Sequence, residues 1–389
     1  MSIKQLANES QTGFVFGMIQ SSRTIRFFFG KILEEEHMKK TIITLLAVVL
    51  VLTGGVQIFA QSQAALIFLL ISPGARAVSM GETFVATADD ATASYWNPAG
   101  LAFLKDRHLS MMHTKWLPQL VDDMSYDFLA YTQEVESFGG TIGGNIIFMN
   151  YGEQYITMEN GPAIVGTFSS WDMAVTVSYG SQLSENVGIG VNMKYIRSNL
   201  ANINSNTAAE GKGVANAFAV DLGVLYHMPF LPGLTFGANL ANMGPRVSYI
   251  DPDQADPLPT NLKIGFAYKV LDTEFNQLRI SVDTNKLLVV REKGKAPEEF
   301  YTAIFTAWTN KDFGEQLNEM TTTVGAEYIY NNMIALRAGY YYDQVGQMKF
   351  PTFGAGIRYG GFMFDFGYMA AEEGHPRSDT MLFSLSADI

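Results

Sequence analysis

The feature that most constrains this chain is a period-two alternation of side chains that recurs from residue 107 to the C-terminus. In 214–226, Val, Phe, Leu and Tyr fall on one face, whereas Ala, Asp and Gly fall on the other. In 362–369, three Phe and one Tyr alternate with Met, Asp and Gly. Such alternation is typical of β-strands that have one apolar face. Most of the chain is therefore predicted to be all-β.

About fourteen segments carry this alternation, and many have the ~9–11 residues that a tilted membrane strand needs. Their approximate cores are predicted at 108–116, 123–133, 140–151, 171–182, 186–199, 214–228, 233–243, 260–270, 277–285, 321–330, 332–342, 350–359, 361–370 and 379–388. Asn-Asn at 331–332 and Gly-Gly at 360–361 suit tight hairpin turns. An even number of strands, joined by alternating short turns and longer loops, indicates an antiparallel transmembrane β-barrel over residues 107–389.

The chemistry of the two faces supports this fold class. One face is aliphatic and aromatic, and the other combines Gly and Ala with charged residues. A charge at mid-depth in lipid costs about 2–4 kcal/mol, so the charged face is predicted to line the lumen. The luminal charges are Asp221, Glu327, Arg337, Arg358 and Asp365. The alternative fold is a soluble β-sandwich with one buried face, which the strand number and the large aromatic face disfavour.

The N-terminus has the organisation of a targeting segment. Residues 38–60 begin with Met-Lys-Lys, continue with an apolar run at 41–53 and end in small residues, which predicts a signal peptide cleaved near Ala60. Residues 1–37 are interpreted as a non-native extension from a start codon assigned too early. The alternative is a membrane-anchoring helix at 41–60, which is disfavoured because nothing downstream resembles a soluble domain.

Two regions interrupt the alternation. Residues 61–106 are rich in Gly and Ala and are predicted to form a plug or lid, because the lumen of a barrel this size must be filled. Residues 286–320 are predicted to form a long loop with an amphipathic helix that starts after Pro297. Its apolar residues either fold onto the barrel rim or form a docking surface for a partner; they are Phe300, Ile304, Phe305 and Trp308.

Composition and motifs argue against several function classes. The chain has no cysteine, which excludes disulfides, thiolate metal sites and cysteine nucleophiles. Its net charge of −12 disfavours nucleic-acid binding. The five histidines lack metal-ligand spacing, and no catalytic or phosphate-binding motif is present. Asp251, Asp253 and Asp256 are interpreted as a solvated loop, not as a calcium site. We therefore expect a protein that is not an enzyme and has no cofactor.

Longer stretches resemble a known family. Residues 69–101 contain Ser-Pro-Gly-Ala-Arg, Asp-Asp and Tyr-Trp-Asn-Pro-Ala-Gly, and they resemble the N-terminal signature of the PorV/PorQ family, a branch of the FadL-like outer-membrane barrels. The C-terminal third is most similar to PorV of the type IX secretion system, in 283–289, 324–328, 330–332, 335–340, 353–359 and 380–385. The chain departs from the family where 290–294 replaces a proline-containing stretch, and at its last residue, Ile389 instead of Phe.

The resemblance implies a FadL-like barrel of fourteen strands with an N-terminal lid, located in the cell outer membrane among lipid and lipopolysaccharide. It also implies that the protein binds the C-terminal domains of exported cargo. The cargo would be collected from the type IX translocon and passed to the surface attachment complex. Two other functions remain open: a FadL-like channel for long-chain fatty acids or other hydrophobic compounds, and a structural or lipid-handling barrel.

Six residues stand out in the predicted plug: Arg76, Asp89, Asp90, Trp96, Asn97 and Pro98. In one interpretation, Asn97 and Pro98 form an anchoring turn and Arg76 pairs with a luminal carboxylate. In the other, the plug gates a path for a hydrophobic ligand. Glu327, Arg337 and Arg358 are interpreted as an internal charge ladder that satisfies buried polar groups and need not indicate transport.

Overall fold

A computed structural model describes residues 64–158, 161–200, 213–249, 251–292 and 295–389. Fourteen antiparallel strands form a closed barrel, in which the first strand pairs with the last. The strands are β1 (Arg107–Lys115), β2 (Ser125–Val135), β3 (Gly140–Met158), β4 (Gly161–Ser184), β5 (Val187–Asn199), β6 (Val214–His227), β7 (Leu234–Met243), β8 (Asn261–Asp272), β9 (Asn276–Leu287), β10 (Thr321–Tyr330), β11 (Ile334–Asp343), β12 (Met348–Tyr359), β13 (Phe362–Met369) and β14 (Thr380–Asp388). The predicted fold class and strand number are confirmed. The predicted extension 1–37 and signal peptide 38–60 lie outside the described residues.

Within the described residues, four short α-helices accompany the strands. They are α1 (Ala75–Ser79), α2 (Ala93–Trp96), α3 (Phe300–Thr306) and α4 (Phe313–Asn318). A 3₁₀ helix over Pro98–Phe103 follows α2 directly. Within the described ranges, no helix combines the length and the apolar character needed to cross a membrane.

The connections distinguish the two ends of the barrel. At one end, Asn331 and Asn332 have φ of 51° and 52° and join β10 to β11, and Gly360 and Gly361 join β12 to β13. Both predicted turns are confirmed, because these residue types tolerate a positive φ. This short-turn end also holds the start of β1 and the end of β14. The opposite, long-loop end carries the connections 116–124, 244–260, 288–320 and 370–379. In outer-membrane barrels, short turns face the periplasm and long loops face outward.

The hairpin of β3 and β4 is longer than predicted. Its last pairs with neighbouring strands are Ser125 with Asn150 and Trp171 with Asn199. The described residues beyond these positions pair only with each other, so the hairpin projects past the rim of the barrel. The predicted approximate cores 140–151 and 171–182 lie within these strands, and the sequence analysis missed the projecting part.

The long loop also differs from the prediction of one amphipathic helix. The loop instead forms α3 and α4, and α3 ends before Trp308. The buried face of α3 consists of Ala303 and the adjoining Ala307, which pack with Leu288 and Val290. Ile304 also packs against this core, whereas Tyr301 and Phe305 turn away from it and are exposed.

Residues 64–106 lie inside the barrel. α1 contacts the inner faces of β11 to β14, and the 3₁₀ helix contacts β3 to β6 on the other side. The backbone approaches the wall so closely at Gly339 that a Cβ atom there would lie 2.1 Å from the amide nitrogen of Gly81. Only glycine allows this approach. We call residues 64–106 the luminal segment.

Candidate functional site

Arg76 ties the luminal segment to the wall of the barrel. Its Nε and Nη2 each donate a hydrogen bond of 2.8 Å to the Glu327 carboxylate on β10. Its Nη1 donates to Asp89 at 2.7 Å and to Asp90 at 3.0 Å. Burial opposes the charged form of Arg76, but these carboxylates outweigh it and raise the pKa of the guanidinium. Arg76 therefore stays charged and joins two parts of the luminal segment to one strand.

Two wall arginines complete this arrangement. Glu327 is paired in register with Arg279 on β9 and with Arg337 on β11. Arg337 Nε donates to Glu327 at 2.8 Å and its Nη1 donates to Asp365 at 2.7 Å. Arg279 Nη1 donates to Asp89 at 2.8 Å. The charge cluster thus consists of Arg76, Arg279, Arg337, Asp89, Asp90, Glu327 and Asp365.

Two opposing effects act on the pKa of Asp89 in the charge cluster: enclosure by the protein and the nearby arginines. The Asp89 side chain is 38% exposed but lies within the lumen, where enclosure by the protein disfavours its ionised form. Arg76 and Arg279 outweigh this effect and lower the pKa of the carboxyl group. Arg279 was not among the predicted luminal residues. Its place next to Glu327 depends on strand register, which the amino-acid sequence does not specify.

A cavity of about 430 Å³ at the short-turn end is lined by the charge cluster and by residues nearer the opening. Arg358 is one of the residues nearer the opening, where its Nη1 lies 2.5 Å from the carboxylate of Asp388. His108 also contacts Asp388, at 2.8 Å. The interpretation of Glu327, Arg337 and Arg358 as one ladder is therefore wrong at Arg358, which pairs separately at the half-exposed mouth.

Asp221 lies in a different luminal cluster. Its carboxylate lies 2.8 Å from Lys194 Nζ and accepts a hydrogen bond of 2.7 Å from the Asn192 amide. The backbone N–H of Asn242 donates to the same carboxylate at 2.7 Å. Because all of these groups are buried, Asp221 serves to satisfy the polar interior of the wall rather than to line a cavity.

The turn at Trp96, Asn97 and Pro98 makes hydrogen bonds both within the luminal segment and to the barrel wall. Asn97 donates side-chain hydrogen bonds to the carbonyls of Val85 at 2.8 Å and Val224 at 3.0 Å. Its Oδ1 accepts from the N–H of Ala99, as expected where Pro98 begins a helical turn. Trp96 is fully buried, and its Nε1 donates to the Pro73 carbonyl at 3.2 Å. The turn is thus a packed anchor.

Three asparagines on alternate strands hold α2 in place. Asn145 on β3 donates to Ser94 Oγ at 3.1 Å, and Asn192 on β5 donates to the Ser94 carbonyl at 2.9 Å. Asn239 on β7 donates to the Trp96 carbonyl at 3.0 Å. The sequence analysis missed these residues, although a polar side chain on the inward face of a strand was the available signal.

A second cavity, of about 310 Å³, lies at the long-loop end. Here Arg377, from the loop 370–379, reaches Glu82 of the luminal segment at 3.1 Å. The guanidinium lies 5.4 Å from the ring centroids of both Trp116 and Tyr341. Burial opposes its charge, but Glu82 outweighs the burial and raises the pKa of Arg377. An outer loop therefore covers the lumen and is bonded to the luminal segment.

The four candidate docking residues divide into two groups. Phe300 and Ile304 are half-buried on the loop. Phe305 is 74% exposed, and Trp308 is 39% exposed with Lys286 Nζ lying 5.5 Å from its ring centroid. Sequence analysis missed Phe313, which is 78% exposed at the start of α4. Tyr301 is exposed as well. We call Tyr301, Phe305, Trp308 and Phe313 the aromatic loop surface.

In the described ranges, no group of three or more His, Asp or Glu is arranged to hold a metal ion. The features that remain are structural and interfacial: a lumen occupied by the chain's own N-terminal segment, two charged cavities and an aromatic loop surface. Together with the closed fourteen-stranded barrel, they define an outer-membrane β-barrel protein.

Comparisons with known proteins identify the family. The family model described as "Type IX secretion system protein PorV" matches residues 60–293, and the chain belongs to this family. A comparison with curated protein sequences found no significant match. The fold is similar to that of the toluene transporter TbuX of Ralstonia pickettii, with a TM-score of 0.52 and 15% identity over 83% of this chain and 100% of that one.

Two further solved structures are less similar. The toluene transporter TodX of Pseudomonas putida has a TM-score of 0.49 and 14% identity, over 85% of this chain and 98% of that one. A FadL homologue of Pseudomonas aeruginosa has a TM-score of 0.47 and 10% identity, over 82% of this chain and 98% of that one.

Proposed function

We propose that this protein is an outer-membrane component of type IX protein secretion that binds the C-terminal domains of exported cargo. It holds them at its long-loop end and passes them from the translocon to the surface attachment complex. Membership of the PorV family supports the pathway. The observation that carries the binding role is the aromatic loop surface, which lies beside an occupied lumen.

The aromatic loop surface has the properties of a protein-binding site. Phe305 and Phe313 expose most of their side chains, although aromatic residues are normally among the more buried types. Grouped exposed apolar side chains mark interaction sites, and large aromatic rings dominate the energetics of protein interfaces. Both residues lie on the loop between β9 and β10, outside the lipid-facing part of the barrel.

The projecting β3–β4 hairpin offers a second contact suited to a β-rich partner. Tyr155 and Ile164 on this hairpin are 61% and 59% exposed. Along the described part of the projection, neither outer edge is paired with a further strand. Unpaired edges can add a strand from another chain, and alternate exposed side chains then supply selectivity. A cargo domain made of β-strands fits both properties.

The lumen is poorly suited to the alternative function, a channel for hydrophobic compounds. Charged side chains line both luminal cavities, including Arg76 and Glu327 at one end and Glu82 and Arg377 at the other. A hydrophobic solute would displace water from these groups without replacing its hydrogen bonds, which is costly. This chemistry favours binding at the surface over passage through the barrel.

Affinity capture from detergent-solubilised outer membranes tests the proposal. We expect the tagged protein to retain cargo that shares a C-terminal β-domain, together with a very large barrel protein. The double substitution Phe305→Asp and Phe313→Asp should reduce this recovery at least about tenfold, because aromatic anchors typically contribute about 2 kcal/mol or more each. Thr302→Asp adds a charge at an exposed position of α3 and is the matched control.

If the double variant recovers as much cargo as the control variant does, the aromatic loop surface is not part of the interface. Recovery of only lipid or fatty acid by the unmodified protein would contradict the secretion role and favour the channel.

A further inference from the structure

The two outer edges of the projecting β3–β4 hairpin differ in their capacity to pair with another strand. On β3, residues 153–157 read Glu-Gln-Tyr-Ile-Thr, and on β4, residues 161–166 read Gly-Pro-Ala-Ile-Val-Gly. Proline has no N–H to donate and glycine weakens a strand, whereas aromatic and β-branched residues favour strand pairing. The β3 edge is therefore the better template for a further strand.

One hydrogen bond shows which backbone groups point out of the β3 edge. The N–H of Glu153 donates to the Asp123 carboxylate at 2.9 Å, so it points away from β4. In an antiparallel ladder, alternate residues direct their N–H and C=O groups to the same side. Tyr155 and Thr157 therefore also direct theirs out of the β3 edge, where no strand of the described residues pairs with them. Thr167, which lies opposite Tyr155, directs its groups to the β4 edge.

An apolar pocket of about 290 Å³ adjoins this edge at the base of the hairpin. Its apolar lining comes from Val121, Met124, Tyr151 and Leu200, and Gln154 of the β3 edge lines it as well. The volume is below the ~300–1,000 Å³ of small-molecule sites, so the pocket suits a side chain better than a whole ligand. A strand added to the edge would direct alternate side chains to the side on which the pocket lies.

Three carboxylates lie at the start of the edge, on Asp122, Asp123 and Glu153. All three side chains are exposed. Among the residues that the structure describes, no lysine, arginine or histidine nitrogen lies within 4.0 Å of any of them. Complementary charge guides and orients a binding partner, so a segment with a basic residue at this point fits the edge.

We propose that the β3 edge at Tyr155 and Thr157 binds an extended strand of the cargo C-terminal domain. The strand exchanges backbone hydrogen bonds with these two residues, inserts one aliphatic side chain into the pocket and places a basic residue beside Asp123. A two-stranded hairpin is marginally stable by itself, so a third strand also stabilises the projection. Only the source of the strand, the cargo, rests on the proposed function.

Fluorescence anisotropy of a labelled peptide, measured with the full-length barrel in detergent, tests the edge. The probe has one lysine followed by alternating valine and threonine. Tyr155→Pro removes one N–H from the β3 edge and should weaken binding about fivefold or more, as expected for one lost hydrogen bond. Thr167→Pro removes an N–H from the opposite edge and is the matched control. Both positions tolerate proline, because neither N–H pairs within the hairpin. Tyr155→Ala keeps the N–H and reports the contribution of the ring.

Equal peptide affinity of the Tyr155→Pro and Thr167→Pro barrels, each shown to be folded by heat-dependent mobility on gels, would overturn the proposal. A second comparison needs no variant. The same peptide with methylated backbone nitrogens should bind the unmodified barrel more weakly, and equal affinity of the two peptides would also overturn it. A barrel that is dimeric without peptide and becomes monomeric on Tyr155→Pro would assign the edge to a second copy of this chain instead.

Affinity capture from outer membranes tests the source of the strand. We expect Tyr155→Pro to lower the recovery of cargo relative to Thr167→Pro. Equal recovery by the two variants would exclude the edge from cargo binding and leave the secretion role intact. If the unmodified protein recovers no cargo but binds the peptide, the secretion role fails and the cargo is not the source of the strand.

Discussion

The substitution Glu327→Gln should release the luminal segment from the barrel wall. Glu327 is 2% exposed, and its two oxygens accept hydrogen bonds from Arg76 and Arg337. Removing one partner of a buried ion pair costs about 3–5 kcal/mol. Each arginine keeps another carboxylate, Asp89 or Asp365, so we expect the lower end of this range. A change of about 3 kcal/mol corresponds to a roughly 100-fold change in an equilibrium constant.

A thiol reporter measures this change directly, because the chain contains no cysteine. Ser79 is fully buried at the end of α1, so the thiol of a Ser79→Cys variant should be labelled by a maleimide only when the luminal segment moves. In the Glu327→Gln background, we expect the labelling rate to rise about 100-fold, in line with the change in the equilibrium constant. The temperature at which the folded gel band disappears should fall as well.

The control for this experiment is Arg358→Gln, which breaks the separate pair with Asp388. Both side chains of that pair are 46% exposed. Exposed ion pairs contribute only about 0–1 kcal/mol, so labelling of the introduced thiol should stay close to that of the Ser79→Cys parent. If Glu327→Gln leaves the labelling rate at the level of this control, the charge cluster does not hold the luminal segment, and the reasoning is refuted.

Two further predictions concern the stability of the barrel. Gly339→Ala places a Cβ atom 2.1 Å from the luminal backbone and should lower the gel-shift melting temperature. Gly314→Ala is the control, because a Cβ atom there meets nothing within 4 Å and should leave the melting temperature unchanged. Equal melting temperatures for the two variants would contradict the close approach at Gly339. Burial disfavours the ionised form of Glu319, but its lysine partners outweigh the burial and lower the pKa of this carboxyl group. The resulting stabilisation is present above the unfolded pKa of a glutamate and is lost as the pH falls through the lower folded value. Melting measured from neutral to acidic pH should therefore show a loss that Glu319→Gln diminishes, and an identical pH profile for this variant would exclude Glu319 as a source.

The strands of the barrel could be predicted because lipid and lumen impose opposite demands on alternate residues. The predicted core 361–370 and the observed β13 (Phe362–Met369) differ by one residue at each end. A shift of one position would place Asp365 in lipid and the adjacent phenylalanines in the lumen. The projecting hairpin lacks this constraint, and there the predicted cores stop short of the observed strand ends.

The contacts of the luminal segment could not be predicted, although several of its residues stood out. Arg76 and Glu327 are 251 positions apart in the chain, and they meet because α1 lies against the barrel wall. Arg279 joins them only through the register of β9 against β10. The division of the long loop into α3 and α4 likewise depends on packing of Ala303 against Leu288, which local periodicity does not reveal.

The amino-acid sequence by itself determined the number of strands, the face that each presents to lipid, the tight turns and the family. These properties depend on side-chain alternation and local backbone preference, which are written along the chain. The tertiary structure alone decided which charges pair and why Arg358 is separate from the charge cluster. Those outcomes depend on barrel closure, strand register and the path of the luminal segment, and each brings together residues that are distant in the chain.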